Sequence, residues 1–438
     1  VVNITKNALL GTTEYTLSNG VTVTIKPTDF KNDQIVMGAT RQGGKNEYGL
    51  ADKYNAEFAL QVVGAMGIGD FSPTDLRKAL AGKTVSVSPL FSSISDGMKG
   101  SSSVKDLETM LQLTYLYCTA PRRDTALFKA FIQRNKSQYA AIGANPQAAF
   151  IDTLSKVLYN QNPLAPMMVP NSAFFDQVNV DRVLSIYKEH FSDCSGMNFV
   201  FVGSFKEAEI KPLIEKYIAS LPATGKKFTF VDNKVRPVAG NKVLTVNKGK
   251  EEKSLILAFY NGEAPYSEDL QLKTEALSEV LNIRVIEELR EKIQGIYGGG
   301  TFAQMEKYPY ANYSFVVQLP CGPQKVDTLI KAFKKEFSEM AQKGPDTTYL
   351  NKVKRQWIEQ YKTSIKDNNA WAEQLLQLKL IGGDPDRFIH YEKYVQQLTP
   401  TAIQEAAKLV FNGNNEFIAV QMPEQLKTAA AEEPKKGF

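Results

Sequence analysis

Histidine is the commonest metal ligand and general base, yet this 438-residue sequence holds two, His190 and His390, 200 positions apart. Metal centres and triads built on clustered imidazoles therefore lack their usual parts. His190 closes the run Val183-Leu184-Ser185-Ile186-Tyr187-Lys188-Glu189-His190, where a helix C-terminus favours a cation, so it reads as a capping residue. His390, in Arg387-Phe388-Ile389-His390-Tyr391, has no ligand spacing around it. Cys118, Cys194 and Cys321 are far apart in sequence and form no C-x-x-C pair of the kind that holds zinc or cycles redox. Three further patterns are decoys. Ala81-Gly82-Lys83-Thr84 has the tail of a phosphate loop, but Arg77 stands where the first glycine is needed, and a strand rather than a helix follows. Gly64-Ala65-Met66-Gly67-Ile68-Gly69 follows no strand, so it reads as a helix end and loop rather than a dinucleotide fingerprint. The aromatic run Tyr308-Pro309-Tyr310-Ala311-Asn312-Tyr313 lacks the interleaved basic residues of a base-stacking platform and reads as alternating strand faces.

Charge and composition narrow the field further. Lys and Arg number 52 against 47 Asp and Glu, and the net +5 is spread along the chain, too mild a balance for a nucleic-acid partner. Hydrophobic residues make up 43%, the proportion of an ordinary globular chain. The longest uncharged stretch, 158–175, is broken by prolines and amides, so no run approaches the roughly 20 apolar residues of a membrane span. The sequence opens Val1-Val2-Asn3, with neither an initiating Met nor a charged-then-apolar leader, and 1–13 reads as a linker-like start. A fragment or a processed chain is expected.

Periodicity places the elements. Residues 14–25 form two short strands around the turn Ser18-Asn19-Gly20, and 34–40 a further strand. A helix is expected over 50–64 and a strand over 83–90, then helices over 104–119, 124–141, 145–158 and 181–191, each apolar at spacings of three and four. A buried strand over 197–205 and an amphipathic helix over 206–221 complete this half. The stretch 221–241, rich in Pro, Gly, Lys and Asn, reads as a linker.

The order then restarts. Strands are expected at 243–246, 255–259 and 310–319, a long helix at 269–292, helices at 326–341, 347–380 with breaks, and 400–411, and a last strand at 416–422. Ile35 and Leu255 are 220 positions apart, and Phe199 and Phe417 218, so the period is that of a duplicated domain rather than a solenoid. The fold class is α+β: two tandem homologous domains, 1–230 and 231–424, each a mostly antiparallel sheet with helices packed on one face. The Ala- and Lys-rich tail 425–438 is expected to be loose.

This order of elements resembles the pitrilysin, insulysin and mitochondrial processing peptidase family of zinc metallopeptidases over nearly the whole chain. Tyr15-Thr16-Leu17-Ser18-Asn19-Gly20-Val21 is similar to the family's LSNG opening, and Phe199-Val200-Phe201-Val202-Gly203 to the strand that closes its first domain. The most specific segment is Leu289-Arg290-Glu291-Lys292-Ile293-Gln294-Gly295-Ile296-Tyr297, which matches the family's LREK…Y element. The resemblance implies two halves that close like a clamshell around a peptide. One of them carries zinc on an H-x-x-E-H helix, where two imidazoles bind the metal and the Glu activates its water.

That motif has decayed here. The matching place reads Tyr48-Gly49-Leu50-Ala51-Asp52-Lys53-Tyr54-Asn55-Ala56, so Asp52 stands for the first His, Asn55 for the Glu and Ala56 for the second His. A methyl group cannot coordinate zinc and an amide cannot act as a base at neutral pH. A distal acidic ligand is missing as well, since no Asp or Glu occurs between Asp124 and Asp152. The resemblance therefore implies a zinc-lacking C-terminal half, with no cofactor of its own and Zn2+ in a partner half.

Arg290 and Tyr297 match the pair that the family's non-metal half delivers to the zinc site. A neutral phenol can donate to an oxyanion and a guanidinium supplies fixed positive charge, so the two would stabilise the transition state of peptide hydrolysis. Gly298-Gly299-Gly300 beside Tyr297 would let a backbone approach closely, or form a flexible turn. Expected partners are a zinc-bearing N-terminal half or subunit and a peptide substrate. The expected location is the bacterial periplasm or envelope, as for the single-chain bacterial members. Alone, the chain is expected to be inactive. The alternative is a catalytically inactive subunit that binds peptides or scaffolds a complex.

Overall fold

A computed structural model describes residues 1–424; the tail expected to be loose, 425–438, lies outside the described residues. The first sheet has seven strands, β1 (Asn3–Asn7), β2 (Thr12–Thr16), β3 (Thr22–Pro27), β4 (Ile35–Gln42), β5 (Val85–Phe91), β6 (Ser95–Ser102) and β7 (Asn198–Gly203), in the order β1-β2-β3-β7-β4-β6-β5. The second has five, β8 (Lys242–Asn247), β9 (Ser254–Glu263), β10 (Gly300–Glu306), β11 (Asn312–Cys321) and β12 (Glu416–Met422), in the order β10-β11-β9-β12-β8.

The two orders superpose: β3-β7-β4-β6-β5 repeats as β8-β12-β9-β11-β10. Directions repeat too, with one parallel pair per repeat, β3 with β7 and β8 with β12, and antiparallel pairing elsewhere. The α+β expectation and the mostly antiparallel sheets are thus observed.

Three strands differ from the reading of the sequence. β1 occupies the segment read as a linker; all five of its residues are exposed, so no burial alternation reveals it. β6, SDGMKGSS, is poor in strand-forming residues, and its glycines serve close packing: a Cβ on Gly97 would lie 2.4 Å from the Ala39 carbonyl oxygen. β10 lies in a stretch to which the sequence reading gave no strand, and β11 starts at Asn312, leaving Tyr308 and Tyr310 in the connection rather than on strand faces. Tyr308 stacks on Phe230 at 4.0 Å and Tyr310 lies 3.3 Å from the Arg236 guanidinium.

Each central strand is buried on both faces. In β7, Phe199 and Phe201 pack with the helix Leu107–Thr119, whereas Val200 and Val202 face the other way. The same alternation in β9 sends Ile256 and Ala258 into one core and Leu255 and Leu257 into another. The second face is covered by exchange. The helix Asn368–Ile381 lays Trp371, Ala372 and Leu375 on Val200 and Val202 of the first sheet. The helix Pro146–Leu158 lays Phe150, Leu154 and Leu158 on Leu255, Leu257, Phe417 and Ala419 of the second. Each sheet therefore has its own helices on one face and a single helix from the other half on the opposite face. Burying each of these large side chains is worth about 1.5–3 kcal/mol, so parting the halves would cost several such terms at once.

Candidate functional site

The positions read in the sequence as a degenerate zinc motif, Asp52, Asn55 and Ala56, lie where the chain turns into the helix Lys53–Met66. Asp52 occupies the N-cap position but accepts no capping bond from that helix. Its carboxylate instead meets Arg182 of the helix Val180–Phe191 in a two-pronged pair, Nε to Oδ1 and Nη2 to Oδ2, each 2.9 Å. The Arg182 hydrogen bonds hold the Asp52 carboxyl below the usual range against its partial burial, and the same pairing raises Arg182. Asn55 donates from Nδ2 to Asp52 Oδ1 at 3.3 Å and accepts the Asn179 backbone N–H at 2.8 Å. Ala56 is 2% exposed and packed with Phe58 and Val183. All three motif positions are committed to structure, and the donor set does not fit zinc. Among the described residues no group of His, Cys, Asp and Glu could hold a metal ion.

A polar chain runs inward from this pair. Arg182 Nη1 donates to Glu189 Oε1 at 2.8 Å, Tyr48 Oη donates to Glu189 Oε2 at 2.6 Å, and Tyr48 Oη also lies 2.8 Å from His190 Nε2. His190 Nδ1 is 2.9 Å from Asp96 Oδ2, and Arg41 binds that same carboxylate at 3.1 Å. Burial pushes the Tyr48 phenol up, and its bond to Glu189 adds to the rise. Burial also opposes the charge on Glu189, but the bonds from Tyr48, Arg182 and Ser185 prevail and lower it. His190 stands in the last helical turn, as its spacing implied, but its ring turns into the core with both nitrogens bonded instead of facing the helix dipole in solvent. His390 pairs with Asp386 at 2.7 Å on the surface.

The cysteines are free and buried, so none offers an exposed nucleophile. Cys118 and Cys194, distant in sequence, are neighbours in space; the hydrogen bond to the Cys194 thiol and burial push Cys118 up. Burial alone pushes Cys321 up to about 11.

Beside the motif, a cleft of about 340 Å3 opens between Tyr48, Lys53 and Glu57 of the first half and Glu306, Tyr308 and Tyr310 of the second. Arg290 and Tyr297 are elsewhere. Tyr297 precedes β10 and Tyr308 follows it, so the strand, at about 3.3 Å per residue, separates them by roughly 20 Å.

The local structure around Arg290 is unusual. The helix Glu268–Val285 continues into a widened turn, Ile286–Lys292, in which the Ile293 N–H reaches back to the Glu288 oxygen at 3.0 Å, a five-residue step. Leu289 is buried under it while Arg290 is exposed. The chain then reverses through Gln294 at φ 52°, and the Tyr297 N–H bonds the Pro320 oxygen of β11 at 3.1 Å. Gly299, at φ 99°, permits this docking, because a Cβ there would lie 2.0 Å from the Gln318 oxygen. The close approach expected of the glycine run thus occurs, toward the chain's own β11. The Tyr297 ring is 70% exposed. Among the described residues, neither the Arg290 guanidinium nor the Tyr297 hydroxyl has a hydrogen-bond or ion-pair partner.

The sequence missed Arg182, Tyr48, Glu189 and Asp96. No spacing in the sequence links Asp52 to Arg182, 130 positions away.

Comparison with known proteins agrees with the geometry. The model of the Peptidase M16 inactive domain matches residues 177–357. The probable zinc protease PqqL of Haemophilus influenzae is 20% identical over 409 residues, covering 93% of this chain and 43% of that protein, so this chain spans less than half of that relative's length. The crystal structure of the periplasmic protease PqqL from Escherichia coli aligns with a TM-score of 0.84 at 17% identity over 97% of this chain and 46% of its own. A peptidase M16 inactive domain from Pseudomonas fluorescens aligns with a TM-score of 0.76 at 14% identity over 99% of this chain and 100% of its own. The chain is therefore similar to M16 zinc proteases over most of its length, shares the fold of PqqL, and matches the M16 inactive domain across residues 177–357.

Proposed function

We propose that this chain is the C-terminal, non-metal half of a pitrilysin-type zinc metallopeptidase, divided into a first domain 1–230 and a second domain 231–424. Joined to a zinc-bearing half, on the same chain or as a separate subunit, it closes a peptide-holding chamber. Arg290 and Tyr297 are its contribution to peptide-bond hydrolysis. The Tyr297 hydroxyl donates to the oxyanion that forms at the scissile carbonyl, and the Arg290 guanidinium adds fixed positive charge. Zinc chemistry belongs wholly to the other half. The assembled protein works in a bacterial periplasm, the compartment of the E. coli PqqL structure.

One observation carries this reading. The positions that would bind metal are tied up by Arg182 and the core, whereas Arg290 and Tyr297 stand exposed on a turn fixed by β11. Exposed, uncommitted polar side chains on a rigid support suit a group that completes a site built elsewhere.

The test is metal content and peptide cleavage of this chain alone and mixed with an H-x-x-E-H-bearing half. No stoichiometric zinc and no cleavage alone, with cleavage restored in the mixture, is the expected result. Zinc binding and unaided cleavage would overturn the assignment. Inertness in the mixture as well would leave the chain a peptide-binding or scaffold subunit.

A further inference from the structure

We propose that the second half carries a binding site for an organic cation, an ammonium or guanidinium group, in the pocket between the helices Glu268–Val285, Thr347–Ser364 and Asn368–Ile381 and the short helices Pro385–Ile389 and Tyr391–Gln396. This site is independent of the peptidase reading and lies apart from Arg290, Tyr297 and the degenerate motif.

The pocket has a volume of about 340 Å3, and Tyr266, Trp357, Tyr361, Tyr391 and Tyr394 are on its walls. Two acids line it as well, Glu268 and Glu275, and Glu275 is the one without an ion-pair partner among the described residues. Its carboxylate is oriented by a relay: Tyr266 Oη donates to Gln271 Oε1 at 2.7 Å, and Gln271 Nε2 donates to Glu275 Oε1 at 2.8 Å. Among the described residues no Lys, Arg or His nitrogen comes within 4.0 Å of that carboxylate. Arg387, which lines the same pocket, is already engaged with Asp269 and, at 3.9 Å, Glu268. Lys307 is 5.9 Å from the Tyr266 ring.

A carboxylate withdrawn from water without a counter-ion is costly, and the cost is relieved by a proton or by a bound cation. Burial, reinforced by Glu279, raises Glu275 above the usual carboxylate range, although the Gln271 bond opposes the rise. The Tyr394 ring already has the Arg387 guanidinium at 4.4 Å and the Lys393 ammonium at 5.1 Å, which among the described residues leaves Trp357, Tyr361 and Tyr391 as the walls without a cation of the protein's own, and aromatic rings attract one. An anion would be repelled by Glu275, and an apolar guest would leave the carboxylate unpaired. Among the described residues, what Glu275 lacks is a positive group of its own.

Calorimetric titration of the whole chain at neutral pH and low salt tests this with two probes that separate the sources of such a group. Cadaverine stands for a free amine, and a lysine-bearing peptide, set against its norleucine counterpart, stands for a side chain. Saturable binding of either probe, weakened about tenfold or more in Glu275→Gln, is the expected outcome. Cadaverine alone binding identifies a small-amine site; the lysine peptide binding while the norleucine peptide does not identifies a side-chain pocket. Glu275→Gln keeps an acceptor for Gln271, and an unchanged circular dichroism spectrum would show that it folds. Absence of saturable binding by both probes, or equal affinity in the folded Glu275→Gln variant, refutes the proposal.

Discussion

Asp52 and Arg182 form a two-pronged ion pair, with both bonds 2.9 Å, that ties the start of the helix Lys53–Met66 to the helix Val180–Phe191. Arg182 spans to Glu189 as well, so one guanidinium serves two carboxylates across two helices.

Arg182→Ala should therefore cost about 1–2 kcal/mol in urea unfolding at neutral pH, since it strands both acids in a partly exposed setting. Asp52→Ala should cost less, because Glu189 keeps its partner. The pair depresses the folded Asp52 carboxyl below its ordinary 3.8, so its contribution is present above that pH and is lost as pH falls through the depressed value. The gap between wild type and Arg182→Ala should close in acid; a gap that persists there would assign the effect to packing.

Tyr297→Phe in the assembled enzyme should lower kcat more than it raises KM, on the order of a hundredfold for the loss of one oxyanion donor. The 70% exposure of Tyr297 means that the chain's own stability should not change. Arg290→Ala should behave likewise. An unaltered kcat in the Tyr297 variant would sink the role.

The exchanged helices should make the two halves unfold together. Phe150 is fully buried against the second sheet although it belongs to the first half. Phe150→Ala should cost about 3–5 kcal/mol and shift a single transition. At the other exchange, a Cβ on Gly38 of β4 would lie 2.3 Å from Leu376 Cδ1, so Gly38→Val should also destabilise, by about 1–3 kcal/mol. Two separate thermal transitions in either variant would mean that the halves are independent.

Glu275→Gln should be more stable than the wild type at neutral pH, with a higher Tm by calorimetry. Burial raises the folded carboxyl above its ordinary 4.5, so the stability associated with its protonated form is fully present below 4.5 and is lost as pH rises through the folded value. The variant does not pay that loss, and its advantage should vanish in acid. A site that costs stability while it stays empty is the expected signature of function.

The sequence by itself determined the repeated order of elements and the sheet-and-helix layers, because these rest on period and on apolar alternation. The linker-like 221–241 and the decoy glycines followed from composition in the same way. Gly82-Lys83-Thr84 leads into β5, and Gly67 ends a helix at φ 97°. β1 and β6 were not legible, since one buries nothing and the other is built of Ser and Gly that packing alone selects. The aromatic run was misplaced for a related reason: Tyr308 and Tyr310 are held by Phe230 and Arg236, partners about 70 or more positions away. Only the tertiary structure decided that Arg182 pairs with Asp52, that His190 is locked between Asp96 and Tyr48, that each half lends a helix to the other, and that Glu275 has no counter-ion among the described residues. All four are relations between residues far apart in sequence, set by how elements pack, and no local pattern encodes the distance between them.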